Sequence, residues 1–179
     1  MKRKFLIIFF VASFSFISYS IYVRSLLSSI DTLLVCASNE FVPALVTDSI
    51  CRFHLHRIHD NDDDIQFLND SIGVSWAIMP EINRYDIELL EVLISKGVDI
   101  NSIDRNSGIT ALHAMVFEKG KKGIDILLAY GARPDIPSLK PFKIENNEAL
   151  TPLDLAIFLH LRDGDSVMES IIEKLEASM

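Results

Sequence analysis

The sequence has no Gly-x-Ser-x-Gly elbow, no glycine-rich phosphate loop and no His-Glu-x-x-His or Cys-x-x-Cys spacing. Serine-nucleophile acyl transfer, phosphate cradling and zinc ligation of the usual kinds therefore lack their residues. Positive charge is also scarce, with 17 Lys and Arg against 25 Asp and Glu and a net charge of −8. Lys2, Arg3, Lys4 and Arg24 are the only charges up to position 24, so the rest of the chain carries −12. Such a body repels phosphate and does not suit nucleic acid; it suits a basic protein partner or simple solubility. There are only two cysteines, Cys36 and Cys51. In an oxidising compartment they could pair, closing a loop of about 15 residues worth roughly 3 kcal/mol; the alternative is two buried thiols.

One long hydrophobic run is present, Phe5 to Val23, behind "MKRK". As a helix it spans roughly 28 Å, close to the thickness of a bilayer core. The basic residues before it keep the N-terminus cytoplasmic and export the chain beyond Val23. We expect residues 1–24 to be an uncleaved signal anchor. The alternative is a signal peptide cut near Ser18 and Ser20, which bulky Tyr19 and Ile21 disfavour. Lipidation at Cys36 is disfavoured by the large Val35 before it.

The remainder, 25–70 and 71–179, reads as helical. Three segments overlay: Gly73–Asn101, Gly108–Ile136 and Ala149–Ala177. Each opens on a small or hydroxyl residue, predicts a short apolar helix, breaks at a polar turn and continues into a second helix of Ile, Leu and Val. Asp86 is a predicted N-cap, Gly97 and Gly131 predicted helix stops, and Ser166 with Glu169 a predicted capping box. Spacing is uneven, 35 residues from Ser75 to Thr110 and 41 from Thr110 to Thr151. The excess falls in Pro137–Glu148, which reads as an elongated loop. Upstream, two short helices are predicted, Asp31–Ala37 and Pro43–Arg57, followed by a solvated turn at His59–Asp64.

Gly108, Thr110, Leu112 and His113 with Gly131 and Ala132, then Thr151, Pro152 and Leu153 with Asp154 in the histidine's place, resemble the openings and endings of ankyrin repeats. Gly97 to Asn101, "GVDIN", resembles an earlier ending, whereas Gly73, Ser75, Trp76 and Ala77 match the opening poorly. The resemblance implies an all-α ankyrin-repeat solenoid of about three to four helix-turn-helix units, beginning near Ser71, with residues 30–70 a diverged unit or cap. Thr110 and Thr151 sit at N-cap positions, and Pro152 takes the first helical position, where its missing N–H costs nothing.

His113 would need a nucleophile or an orienting acid to be catalytic; it reads as scaffold, and no catalytic residue is assigned. His54, His56, His59, Asp60, Asp62, Asp63 and Asp64 form a potential cation cluster, but Ile65 stands where a Ca²⁺ loop needs glycine and Ser71 where it needs glutamate. No metal or other cofactor is expected. Trp76 reads as a core residue. The resemblance directs recognition to the projecting turns, giving Asp104, Arg105, Asn106, Arg133, Lys140, Phe142 and Lys143 as candidate partner contacts, with Phe142 an exposed aromatic between two lysines. The expected protein is a membrane-tethered, periplasmic ankyrin module of a bacterium that binds another protein stoichiometrically. An immunity-type inhibitor of a secreted toxin is one form of this. A scaffold or assembly factor for a membrane complex is the alternative, and a metal-dependent protein using the His/Asp cluster a third.

Overall fold

The computed structural model describes residues 2–26, 28–38, 46–57, 62–71, 73–79, 84–142 and 148–179. Among them the chain is all-helical apart from one two-residue strand pair, and it divides into two compact units, Met1–His59 and Asp60–Met179.

The first unit contains α1 (Lys2–Leu26), α2 (Ile30–Ala37) and α3 (Asp48–Arg57). The run Phe5–Val23 lies inside α1, whose described side chains begin at Ser13. Beyond that point Phe14, Phe16, Ile17, Ile21 and Tyr22 are all exposed. Among the described residues no helix is long and apolar enough to cross a membrane. α2 packs against α3 through Leu33, Leu34 and Leu55, all fully buried, and a Cys36–Cys51 disulfide joins the two helices. α3 starts at Asp48; Pro43, the predicted start, lies outside the described residues.

The second unit opens on α4 (Asp62–Ser71). His59–Asp64 was expected to be a solvated turn, but Asp62, Asp63 and Asp64 form the first turn of this helix, where carboxylates meet the positive end of the helix dipole. Leu68 anchors α4 in the core, and α4 belongs to the unit that runs on to Met179 rather than to the upstream segment. A 3₁₀ turn, Gly73–Trp76, and an antiparallel pair of β1 (Ile78–Met79) and β2 (Arg84–Tyr85) come next, in register Ile78↔Tyr85 and Met79↔Arg84. A short first helix was expected here and does not form. No N-cap threonine precedes the segment, and Met79 stands before Pro80, a position that disfavours the helical region.

From Asp86 the helices follow the sequence pattern: α5 (Ile87–Ser95), α6 (Ala111–Phe117), α7 (Lys121–Ala129), α8 (Pro152–Asp163) and α9 (Ser166–Ala177). Asp86 caps α5 by accepting from the Leu89 N–H at 3.0 Å. α5 and α7 end in the same way. The Val98 N–H reaches the Leu93 carbonyl (3.1 Å) and the Gly97 N–H that of Ile94 (2.9 Å). In α7 the Ala132 N–H reaches Leu127 (2.9 Å) and the Gly131 N–H reaches Leu128 (3.0 Å). This is the Schellman arrangement, and it needs the left-handed backbone that Gly97 (φ 93°) and Gly131 (φ 90°) adopt. The N-cap of α9 is Asp165, accepting from the Val167 N–H at 2.8 Å, rather than the predicted Ser166.

None of these helices buries its apolar face alone, so each pair lies against the next. α6 packs on both α7 and α8, and α8 on α9. Leu112, Val116, Ile124, Leu127, Leu159, Met168 and Ile171 fill the core between them. Gly123 lets α7 approach closely: a Cβ there would collide with Met115 and come within 3.3 Å of Ile78. The polar edges are tied too. Asn69 accepts from the Asp99 N–H (2.8 Å), and Asn101 accepts from the Arg133 N–H (2.8 Å) while donating to the Gly131 carbonyl (3.3 Å). Asp99 and Arg133 each lie two residues past a helix-ending glycine, so one asparagine device joins successive layers twice. The Lys119 ammonium reaches Asp165 at 2.7 Å and links the α6–α7 turn to the α8–α9 turn.

Breaking the covalent link between α2 and α3 should loosen the first unit alone. Cys51→Ser, closing no loop of 15 residues, should cost about 3 kcal/mol there. Hydrogen exchange of α2 and α3 should accelerate accordingly while that of α6 to α9 stays unchanged.

Candidate functional site: a groove beside the Asp104–Ser107 turn

His113 occupies the third position of α6 and is fully buried. Its Nδ1 accepts from the Thr110 backbone N–H (3.2 Å) and lies 2.8 Å from the Thr110 hydroxyl, which in turn accepts from the His113 N–H (3.4 Å). A backbone N–H can only donate, so Nδ1 carries the lone pair and Nε2 the proton. Nε2–H then donates to the Leu150 carbonyl at 2.9 Å, 37 residues away. Burial lowers the imidazole pKa from its ordinary value of 6.5, and the Leu150 bond opposes this. Both ring nitrogens are engaged, so the histidine has no lone pair or proton free for a substrate.

The same box recurs 41 residues on, at Thr151 and Asp154. The Thr151 N–H (3.2 Å) and hydroxyl (2.7 Å) donate to the Asp154 carboxylate, and the Asp154 N–H donates back to the hydroxyl (3.1 Å). Pro152 sits at the helix start as predicted, and Leu153 follows it. Asp154 is exposed, whereas His113 is covered by the loop that crosses it.

The turn before α6 is rigid. The Asp104 carboxylate accepts from the N–H groups of Asn106 (2.9 Å) and Ser107 (3.2 Å) and from the Ser107 hydroxyl (2.7 Å). Ile103 bridges to Thr110, and the Asp104 N–H reaches the Ile109 carbonyl at 3.1 Å. Arg105 is bound to the layer before it, by its N–H to the Asp70 carbonyl (3.0 Å) and its guanidinium to the Asp70 carboxylate (2.8 Å). The layer after it closes on the other side. Leu139 N–H donates to Gly108 (2.8 Å), and the Lys140 ammonium donates to the carbonyls of Arg105 (3.0 Å) and Asn106.

Lys140 lies across Gly108 and fastens one turn to the next. The Phe142 ring rests 6.0 Å from the His113 ring and is partly buried. Phe142 packs toward buried His113, and Lys140 ties two turns together while remaining exposed; Lys143 lies outside the described residues. Arg133 is exposed but satisfied in bidentate fashion by Asp135, at 3.0 and 2.7 Å, which holds the Asp135 carboxyl below the usual range. It borders a smaller recess of about 220 Å³ with Pro134 and the C-terminal residues.

Asp104 and Asn106, in contrast, border a groove of about 450 Å³ whose other walls include Ser75, Trp76, Ile109 and Ala114. Its lining is mainly apolar. Trp76 was expected to be a core residue and instead forms the groove wall, only partly covered, with its Nε1–H buried and without a hydrogen-bond partner among the described residues. The feature that marked it was the failure of Gly73–Ala77 to match a normal repeat opening.

His54 and His56 lie on α3 and Asp62 to Asp64 on α4, in different compact units; His59 and Asp60 lie outside the described residues. Among the described residues no three His, Cys, Asp or Glu side chains gather to hold a metal ion. No family model matches the chain, no curated protein matches its sequence and no solved structure matches its fold.

His113→Ala removes a cap worth about 1 kcal/mol and leaves the Leu150 carbonyl unpaired, at about 1–3 kcal/mol. We expect a loss of about 2–4 kcal/mol in urea denaturation, against about 1 kcal/mol for Asp154→Ala at its exposed box. Because burial depresses the folded-state pKa, stability from His113 is complete above its ordinary 6.5 and declines as pH falls from there toward the folded value. Melting curves between pH 8 and 5 should show this decline in the wild type and a shallower one in His113→Gln, where an uncharged amide can still reach back to the cap.

Proposed function

We propose that this chain is a membrane-tethered ankyrin-type array that binds a protein partner in the groove between Trp76 and the Asp104–Ser107 turn. The groove is the observation that carries the reading: it is concave, mostly apolar, edged by a turn locked on both sides, and built on rigid helical layers. The exposed lining of the groove is mostly apolar, which suits stoichiometric binding by shape. The repeated Schellman ends, the two threonine capping boxes and the asparagine links support the ankyrin reading. The Phe5–Val23 run, the three basic residues before it and the Cys36–Cys51 disulfide support an anchor with the body in an oxidising, periplasmic compartment. The acidic balance suits a basic partner. A secreted toxic enzyme, blocked as it arrives, is the partner class we favour.

Two experiments test this. Where a secreted toxic enzyme is encoded beside it, co-expression should relieve that enzyme's toxicity, and Ala114→Arg, which fills the groove from α6, should abolish relief without lowering the melting temperature. Unchanged toxicity with the wild type removes the inhibitor reading, and loss of a membrane complex on deletion, with no toxin present, would favour a scaffold instead. A C-terminal topology reporter should be active only in its exported form; activity solely in the cytoplasmic form would overturn the localisation.

A further inference from the structure

The α6–α7 and α8–α9 pairs place corresponding positions alike, and that regularity shows what is uncovered on the α8–α9 pair. On α6, which packs against both α7 and α8, Leu112 is 1% and Val116 0% exposed. Their counterparts 41 residues on are Leu153, only partly buried, and Ile157, 37% exposed; one turn further Leu161 is 78% exposed. Leu153, Ile157 and Leu161 stand at i, i+4 and i+8 and so form one stripe along α8. The charges show the same register. Asp125 on α7 pairs with Lys174 on α9. Buried Ile124 and Leu127 correspond to buried Met168 and Ile171, which places Glu169 where Asp125 stands. Glu169 is exposed and has no ion-pair partner among the described residues, and Glu173 and Glu176 are exposed on the same helix.

We infer that this open face, an aliphatic stripe edged by carboxylates, is the docking surface for a basic amphipathic helix of a partner protein. Such a helix would place aliphatic side chains against Leu153, Ile157 and Leu161 and a lysine or arginine against Glu169, repeating the contact that α9 makes with Asp125. A second copy fits poorly, because a two-fold interface would bring the carboxylates of both copies together. The surface is separate from the Trp76 groove, and neither depends on the other.

The test uses the full chain in detergent and two short fluorescent helical peptides, each with leucines at i, i+4 and i+8, one flanked by lysines and the other by glutamates. Fluorescence anisotropy should show binding of the basic peptide only. Leu161→Glu should weaken it by at least about tenfold, and Glu169→Lys should shift preference to the acidic peptide. Both positions are exposed, so melting temperatures should not change. No binding, equal binding of the two peptides, or binding indifferent to both substitutions would overturn the inference. So would a concentration-dependent dimer abolished by Leu161→Glu, which would give the face to a second copy.

Discussion

A single imidazole holds three things at once in this molecule. His113 closes the N-terminal end of α6 through Thr110, reaches the carbonyl of Leu150 in the next layer, and supports the Phe142 ring from the crossing loop. The helices around it run only 7 to 12 residues, shorter than an isolated helix needs to persist in water. They persist because capping boxes start α6 and α8, Schellman ends close α5 and α7, and neighbouring helices cover the apolar surface between layers. The α8 layer uses Asp154 where the α6 layer has His113, and α7, whose start at Gly120 has no side-chain cap, ends on the Schellman turn at Gly131. The layers are thus joined mainly by hydrogen bonds from caps and turns at their edges and by aliphatic packing between.

This construction separates stability from recognition. The groups that fix the turns, Asp70, Asp104, Arg105 and Lys140, satisfy one another and leave little unmet polarity on the surface. What remains available is shape: the concave wall made by Trp76, Ile109 and Ala114, and the stripe on α8. In the proposed function both meet a partner with no rearrangement of the scaffold, as in a stacked array whose layers touch only their neighbours.

Much of the scaffold could be read in the sequence, for a physical reason. Capping boxes, proline at a first helical position and glycine at a left-handed stop are local codes, so α5 to α9 were legible from Asp86, Thr110, Gly131 and Thr151 onward. The failures are equally local. Gly73 to Tyr85 lacks a cap and carries Pro80, and a helix forecast there gave way to a 3₁₀ turn and a strand pair. Asp62 to Asp64 looked like a solvated turn because a charge run gives no apolar stripe; the stripe of Ile65 and Leu68 begins only after it. Side-chain destinations were the least legible. Lys140 is exposed as read, but nothing in a loop sequence states that it also crosses Gly108 or that Phe142 folds back toward His113. Trp76 looked like core because its partial exposure depends on a turn 30 residues later.

The claim on which the rest stands is that His113 is a neutral structural pin rather than a chemical group. Long-range proton–nitrogen NMR of histidine-labelled full chain reads this directly. The account predicts an unprotonated Nδ1 and a protonated Nε2, persisting as pH falls below 6.5. A ring that carries its proton on Nδ1, or that titrates at the ordinary value as an exposed histidine would, would contradict it.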